Sequence, residues 1–318
     1  MFHSYKKNIK IGVSFLLTYN TMNYKKLGSA FFTLLIIFGL TSCGQKTEKE
    51  AGDASEELEA AEPELKEQIE EVVYEIPSPS EIPTLLERTG AEYNGSLINP
   101  ADKADSYVST NDKAALNLGV YATDIGYLVS YDKAQDALTY ISSSKKLSDN
   151  LGVTGAIDSK LLKRFEDNLS RKDSLVILIN STIDKTESYL KDDDRNQLAA
   201  LVVAGSFVEG LYISTGLVKT YPTDILPEDK RNLVLTPLID VILKQEQSVK
   251  DLSKMIDALD KSGPVAELST KLKALEADYE KLNIEEQIKN NRADLVLTDA
   301  TLQEITSKVA EIRSMIVE

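Results

Sequence analysis

Two carboxylates stand where carboxylates are costly. Asp124 lies in the run Leu116 to Tyr131, and Glu209 lies in the run Leu198 to Ile213. Both runs are apolar almost all round, which marks helices buried inside a domain. A carboxylate there must be paired or hydrogen-bonded, or its pKa rises. By three- and four-residue spacing Asp124 shares a helix face with Asn117, Tyr121, Tyr127, Leu128 and Tyr131. Glu209 shares one with Ser206, Tyr212 and Ile213. Two readings follow. In the first, Asp124 and Glu209 line one polar pocket, walled by Tyr121, Tyr127, Tyr131, Ser206 and Tyr212, for a small or cationic ligand. Its catalytic version is a carboxylate-dependent hydrolase, because two carboxyls about 5–9.5 Å apart beside an open cleft can cleave a glycosidic bond. In the second, each carboxylate accepts hydrogen bonds from tyrosine hydroxyls or a helix end and fixes packing. The second is preferred, and no residue is assigned a catalytic role.

The elements that position these residues are helices. The apolar spacing predicts helices over about 113–131, 133–150, 158–170, 173–190, 192–221, 228–261 and 265–289, and a last one from about Thr298 onward. Asn111 or Asp112 is the expected cap of the first, Gly152 the stop of the second, and Ser262-Gly263-Pro264 the stop of the sixth. Ser80 is the expected N-cap where the folded part begins, with Glu81 favourable in the first turn. No strand alternation occurs. The expected fold is therefore all-α, a multi-helix bundle of about eight helices with long antiparallel C-terminal helices. Three apolar seams repeat at alternating three and four residues: Val249 to Leu259, Val265 to Leu282 and Leu302 to Ile312. They suit knobs-into-holes packing, either inside the bundle, which is preferred, or against a partner protein. Glycines 119, 126, 205 and 210 interrupt the two buried helices. Each costs about 1 kcal/mol against Ala, so each is expected to admit a close backbone or ligand.

Upstream the chain changes character. Met22-Asn23-Tyr24-Lys25-Lys26 precedes an apolar stretch, Leu27 to Leu40. At about 14 residues it matches a secretory signal and falls short of the roughly 20 that a spanning helix needs. It ends in Leu40-Thr41-Ser42-Cys43-Gly44, which resembles the lipobox of bacterial lipoproteins. That resemblance implies cleavage before Cys43, acylation of that cysteine by diacylglycerol and palmitate, and a membrane held as partner through lipid. Residues 1–21 add nothing to the signal and are expected to be a mis-assigned start, the alternative being a long leader. Residues 22–42 form the signal peptide. Residues 43–79 read as an acidic, flexible tether, poor in large apolar residues, with a reach of roughly 30 Å. Residues 80–318 form the helical domain.

The runs Tyr74-Glu75-Ile76-Pro77-Ser78-Pro79 and Leu116-Asn117-Leu118-Gly119-Val120-Tyr121 with Asp124 are similar to exported helical lipoproteins of Bacteroidota, a group without an assigned activity. The resemblance implies an outer-membrane lipoprotein, facing the periplasm or the cell surface. Gly44 stands where an aspartate retaining lipoproteins at the inner membrane would be. Gln45 to Glu50 resembles a surface-display signal, interrupted by Thr47.

Processing before Cys43 would discard the sole histidine, His3, and turn the sole cysteine into the lipid site; the chain has no tryptophan. Ser-His-Asp and Cys-His catalysis and His- or Cys-ligated zinc, haem or iron–sulfur sites are then excluded. The formal charge of −15 and the lack of a basic patch exclude a nucleic-acid partner. No metal or cofactor is expected. Ser142-Ser143-Ser144-Lys145, Ser148-Asp149-Asn150 and Lys261-Ser262-Gly263 mimic the elements of penicillin-binding serine enzymes, but the first two share one helix. Asp192-Asp193-Asp194 lacks the glycine and glutamate of an EF-hand loop. The function expected is a membrane-anchored helical module, binding or structural and non-enzymatic, with a protein or envelope component as partner.

Overall fold

A helix without a polar face has to be surrounded, and the two that carry Asp124 and Glu209 form the centre of the bundle. The computed structural model describes residues 76–192, 195–222, 227–282, 289–290, 296 and 299–318. The signal segment, Cys43 and nearly all of the tether lie outside the described residues. The protein is all-α. In chain order the helices are α1 (Glu81–Arg88), α2 (Asn111–Ser130), α3 (Ala134–Asn150), α4 (Ser159–Glu166), α5 (Lys172–Asp192), α6 (Asn196–Lys219), α7 (Glu228–Leu243), α8 (Glu246–Asp257), α9 (Val265–Tyr279) and α10 (Ala300–Val317). A 3-10 helix at Ala101–Ser106 precedes α2.

The pair α2 and α6 makes the most extensive helix contact. Glycine sets how closely they cross. A Cβ on Gly205 would fall inside the carbonyl of Leu116, and one on Gly119 would fall inside the carbonyl of Val202 and 2.6 Å from the Ser206 nitrogen. The expected close approach is thus backbone against backbone. Gly126 similarly admits the chain at Pro79 and Ser80. Helices α3 and α5 flank α2, α7 and α10 lie against α6, and α8 pairs with α9. Among the described residues α6 is also the one helix long and apolar enough to cross a membrane, yet 89 % of its most apolar window is buried.

Local signals account for most boundaries. At the end of α3 Gly152 adopts φ +71°, its N–H donates to the Asp149 carbonyl, and the Val153 N–H donates to that of Ser148. This closes a Schellman motif. The end of α2 makes the same turn with Asp132 at φ +59°. The cap of α2 is Thr110, one residue before the expected pair, and its hydroxyl accepts from the Lys113 N–H at 3.2 Å. Ser80 precedes α1 as expected, but its hydroxyl donates to Asn180 Oδ1 on α5 at 2.6 Å instead of capping. Asp158 caps α4, which stops at Glu166, short of the expected 170. Asp299 caps α10 by accepting from both Thr301 and Leu302; the expected cap, Thr298, lies outside the described residues. Asp299→Ala is expected to cost about 1 kcal/mol of stability, read as a lower denaturant midpoint with an unchanged slope.

Two expectations fail. The helix predicted over 228–261 is two helices, broken at Lys244 and Gln245. A continuous helix would need the carbonyls of Val241 and Ile242 for the amides four residues on. Gln245 Nε2 donates to the first at 3.0 Å and the Tyr279 hydroxyl of α9 donates to the second at 3.1 Å. The Gln245 N–H turns to Ile242 instead. The helix predicted to reach about 289 ends at Tyr279. The three apolar seams are consumed inside the domain: Val249, Leu252, Ile256, Val265, Leu268, Leu272, Leu275, Leu302, Ile305, Val309 and Ile312 are all buried.

Candidate functional site

Asp124 and Glu209 face each other across the α2–α6 contact, and neither is exposed to solvent. The Asp124 Oδ2 accepts the Asn99 N–H at 3.2 Å. Its Oδ1 has no hydrogen-bond partner, and the Glu209 carboxyl lies near enough for its charge to act on Asp124. Glu209 in turn holds Arg313 of α10 as a fork, Oε2 accepting from Nε at 3.0 Å and Oε1 from an Nη at 3.1 Å. The Arg313 guanidinium lies 4.7 Å from the Tyr212 ring centroid, a cation–π distance. Its side chain is 14 % exposed, so the cluster comes nearest to solvent at this arginine.

Burial raises the pKa of both carboxyls, and at Asp124 the neighbouring Glu209 charge raises it further. At Glu209 the guanidinium opposes the rise. Protonation is therefore favoured at Asp124 over Glu209. This leaves one anion against one cation, a neutral set that a dry interior can hold. Both Glu209 oxygens are taken by the guanidinium, and the cation sits where a positively charged ligand would have to bind.

The remaining residues predicted for the pocket are divided. Tyr212 joins the cluster beneath Arg313. Ser206 bonds Thr123 across the helix crossing at 2.9 Å. Tyr121 donates to the Pro100 carbonyl at 2.9 Å and packs on Tyr107 and Tyr140. Tyr127 and Tyr131 belong to a separate aromatic group with Tyr93, where the Tyr127 hydroxyl accepts the Asn94 N–H. The tyrosine spacing on α2 thus serves two clusters. Burial raises the hydroxyl pKa of Tyr121, Tyr127 and Tyr131, so all three stay neutral.

Sequence reasoning missed Arg313 and Asn99. Arg313 follows Val309 by four residues and precedes Ile316 by three. A lone cation flanking an apolar seam is the signal that could have pointed to it. Asn99 makes its contact through a loop amide, which any residue type could supply.

The cavities lie elsewhere. A small apolar recess of about 40 Å³ lies between α2, α3, α4 and α5, lined by Leu118, Ile125, Ile141, Phe165 and Leu178 among others. A groove of about 350 Å³ beside Tyr93, Asn94 and Tyr221 is set apart from the carboxylates. No group of three or more potential His, Cys, Asp or Glu ligands occurs among the described residues. The serine-enzyme mimicry is not assembled: Lys145 pairs with Asp149 along α3, and Lys261 donates to the end of α8.

Fold and site together define an all-α bundle whose buried ionic cluster joins its two central helices to α10. The chain matches no protein-family model, no curated protein and no solved structure.

Proposed function

We propose that the chain is a lipoprotein of the bacterial outer membrane, anchored through lipid on Cys43, whose helical domain is a non-enzymatic binding or structural module. The observation that carries the anchoring is Leu40-Thr41-Ser42-Cys43 at the end of a lysine-led apolar stretch. Two acyl chains give stable attachment where one gives only marginal binding. The partner of the module is a protein or another envelope component.

The non-enzymatic reading draws support from the carboxyls with the strongest chemical potential. Asp124 and Glu209 are fully buried, Glu209 bound to Arg313 and Asp124 to the Asn99 N–H. The alternative, a small-ligand binder or carboxylate-dependent hydrolase, has their contact in its favour. Against it weighs the lack of solvent exposure at either group, since a general acid or base has to reach the proton it moves. Among the described residues the exposed large apolar ones, Leu85, Val108, Ile177, Tyr189 and Leu233, are spread over several elements, which favours recognition by shape and polar contacts on that part of the surface.

The test is metabolic labelling with palmitate. The wild-type chain is expected to carry label and to sediment with outer membranes, and Cys43→Ala is expected to lose both. Unlabelled wild-type protein, or a cysteine found bare by mass spectrometry, would overturn the assignment.

A further inference from the structure

We propose that the cleft between loop 90–94 and the end of α6 is a binding site for a neutral saccharide, with the Tyr221 ring as its stacking platform and Glu92 and Asn94 as the groups that read hydroxyls.

The cleft holds about 350 Å³, which falls in the range of small-molecule sites, about 300–1,000 Å³. Its apolar lining comes from Ala91, Leu217 and Val234. Its polar and aromatic lining comes from Glu92, Tyr93, Asn94, Thr220 and Tyr221. A second hollow, of about 420 Å³, lies between the end of α6 and the start of α10, with Val218, Lys219, Gln303 and Thr306 in its lining. Tyr221 lines both. One partly exposed ring therefore borders two hollows, which is where a ligand of two or three sugar units would find a flat apolar surface between its subsites.

The polar groups of the cleft are fixed before any ligand arrives. The Asn94 N–H donates to the Tyr127 hydroxyl at 2.9 Å, and its Oδ1 accepts from the Ser96 N–H and hydroxyl at 3.1 and 2.7 Å. Its Nδ2 donates to the Thr220 hydroxyl at 3.2 Å, and that hydroxyl donates to the Gly216 carbonyl at 2.8 Å. Loop and helix end are thus tied across the cleft. An amide nitrogen carries two donors, so Asn94 keeps one N–H to offer. Tyr93 is held by ring contacts with Tyr127 and Tyr131. Tyr221 follows the end of α6, its N–H donating to the Val218 carbonyl, and Pro222 bars the helix from continuing. Groups ordered in advance lose less freedom when a ligand binds.

The chemistry of the lining selects the ligand. A sugar ring has apolar C–H faces and a rim of hydroxyls, each both donor and acceptor. The Tyr221 ring suits the faces. Glu92 accepts, the spare Asn94 N–H donates, and the tyrosine hydroxyls do either. Glu92 is the one charged side chain lining the first hollow and Lys219 the one lining the second, among the described residues. Neither hollow gathers the cations that a phosphate or carboxylate ligand calls for. An organic cation could use Glu92 and a tyrosine face, but it would leave the amide donor unmatched, and Lys133 already stands 5.7 Å from the Tyr93 ring centroid. A glycan is one chemistry of the envelope component proposed above, and that reading supplies only where the chain would meet it.

Saturation-transfer NMR and calorimetry of the purified full chain with maltotriose, cellotriose and tri-N-acetylchitotriose test the site. At least one is expected to bind in the millimolar range or tighter, with the strongest saturation on ring C–H protons. Tyr221→Ala is expected to weaken that binding about tenfold, and Tyr221→Phe, which keeps the ring, much less. Glu92 is exposed, so Glu92→Ala leaves the fold intact and is expected to lower affinity as well; it keeps the test open even if Tyr221→Ala folds poorly. Ile177→Ala, at an exposed position of α5, is expected to bind as the wild type does. No transfer to any of the three sugars, unchanged affinity in both Tyr221→Ala and Glu92→Ala, or tighter binding of trialanine or tetramethylammonium than of every sugar would overturn the assignment. Each outcome is read without lipid on Cys43, so a failure here leaves the palmitate result standing, and the reverse.

Discussion

Arg313→Met is expected to destabilise the bundle by about 3–5 kcal/mol at pH 7, on the order of 10 °C in Tm. The methionine fills much of the volume and can still lie along the Tyr212 ring, so the loss is electrostatic rather than a cavity. Glu209, fully buried, would face Asp124 without its cation and would have to take up a proton. The cost should therefore shrink as pH falls towards 5. Glu209→Gln is expected to be milder than Arg313→Met, because Asp124, whose ionised form favours the Arg313 cation, can then release its proton and serve as the counter-ion. Combining Arg313→Met with Glu209→Gln leaves Asp124 and an amide, which can hydrogen-bond without any buried charge. The double variant should recover most of the loss, as neutral replacements of buried ion sets often do. Denaturant titrations of the four proteins at pH 7 and pH 5 give the cycle. A loss below about 1 kcal/mol for Arg313→Met, or a double variant no more stable than the single one, would mean that the fork contributes no more than a surface pair.

The arginine also shows where sequence reasoning stops. The apolar character of the runs around Asp124 and Glu209 announced two buried helices, and the expense of a carboxylate in such a place was legible from residue type. Their mutual contact was a guess between two readings. The partner, Arg313, stands 104 residues from Glu209, and no local pattern measures that separation. The same limit explains the break between α7 and α8. The hydrophobic phase runs on through Ile242 and Val249, but the carbonyls at the break are taken by Gln245 and by Tyr279 from α9. The stop at Gly152 was legible because a helix end is decided by its own few residues, whereas α8 ends at Asp257, four residues short of the expected Lys261. Tyr127 and Tyr131 followed the correct helical spacing from Asp124, yet they sit in another cluster: spacing along a helix places residues on a face, while the neighbouring elements decide what each part of that face meets.

Gly205→Ala is expected to be among the most damaging single-methyl additions in the chain. In an exposed helix the change would stabilise by about 1 kcal/mol, because alanine is the better helix former. Here the new Cβ would overlap the Leu116 carbonyl oxygen and stand 2.7 Å from its carbon. Both are backbone atoms of α2, so no rotamer change relieves the clash and the two central helices have to part. Parting them loosens the Thr123–Ser206 bond and the Asp124–Glu209 contact on the same interface. A net loss of about 3 kcal/mol, the upper end for overpacking, follows despite the gain in propensity. Gly210→Ala in the same helix is the control. Its Cβ would meet only the Ile82 side chain, tightest at Cδ1, 3.1 Å away, the far end of a side chain that can turn aside, so the change is expected to stay within about 1 kcal/mol of the wild type. Thermal unfolding followed by helical circular dichroism separates them. If the two substitutions shift the midpoint equally, the crossing of α2 and α6 is looser than the glycine contacts require.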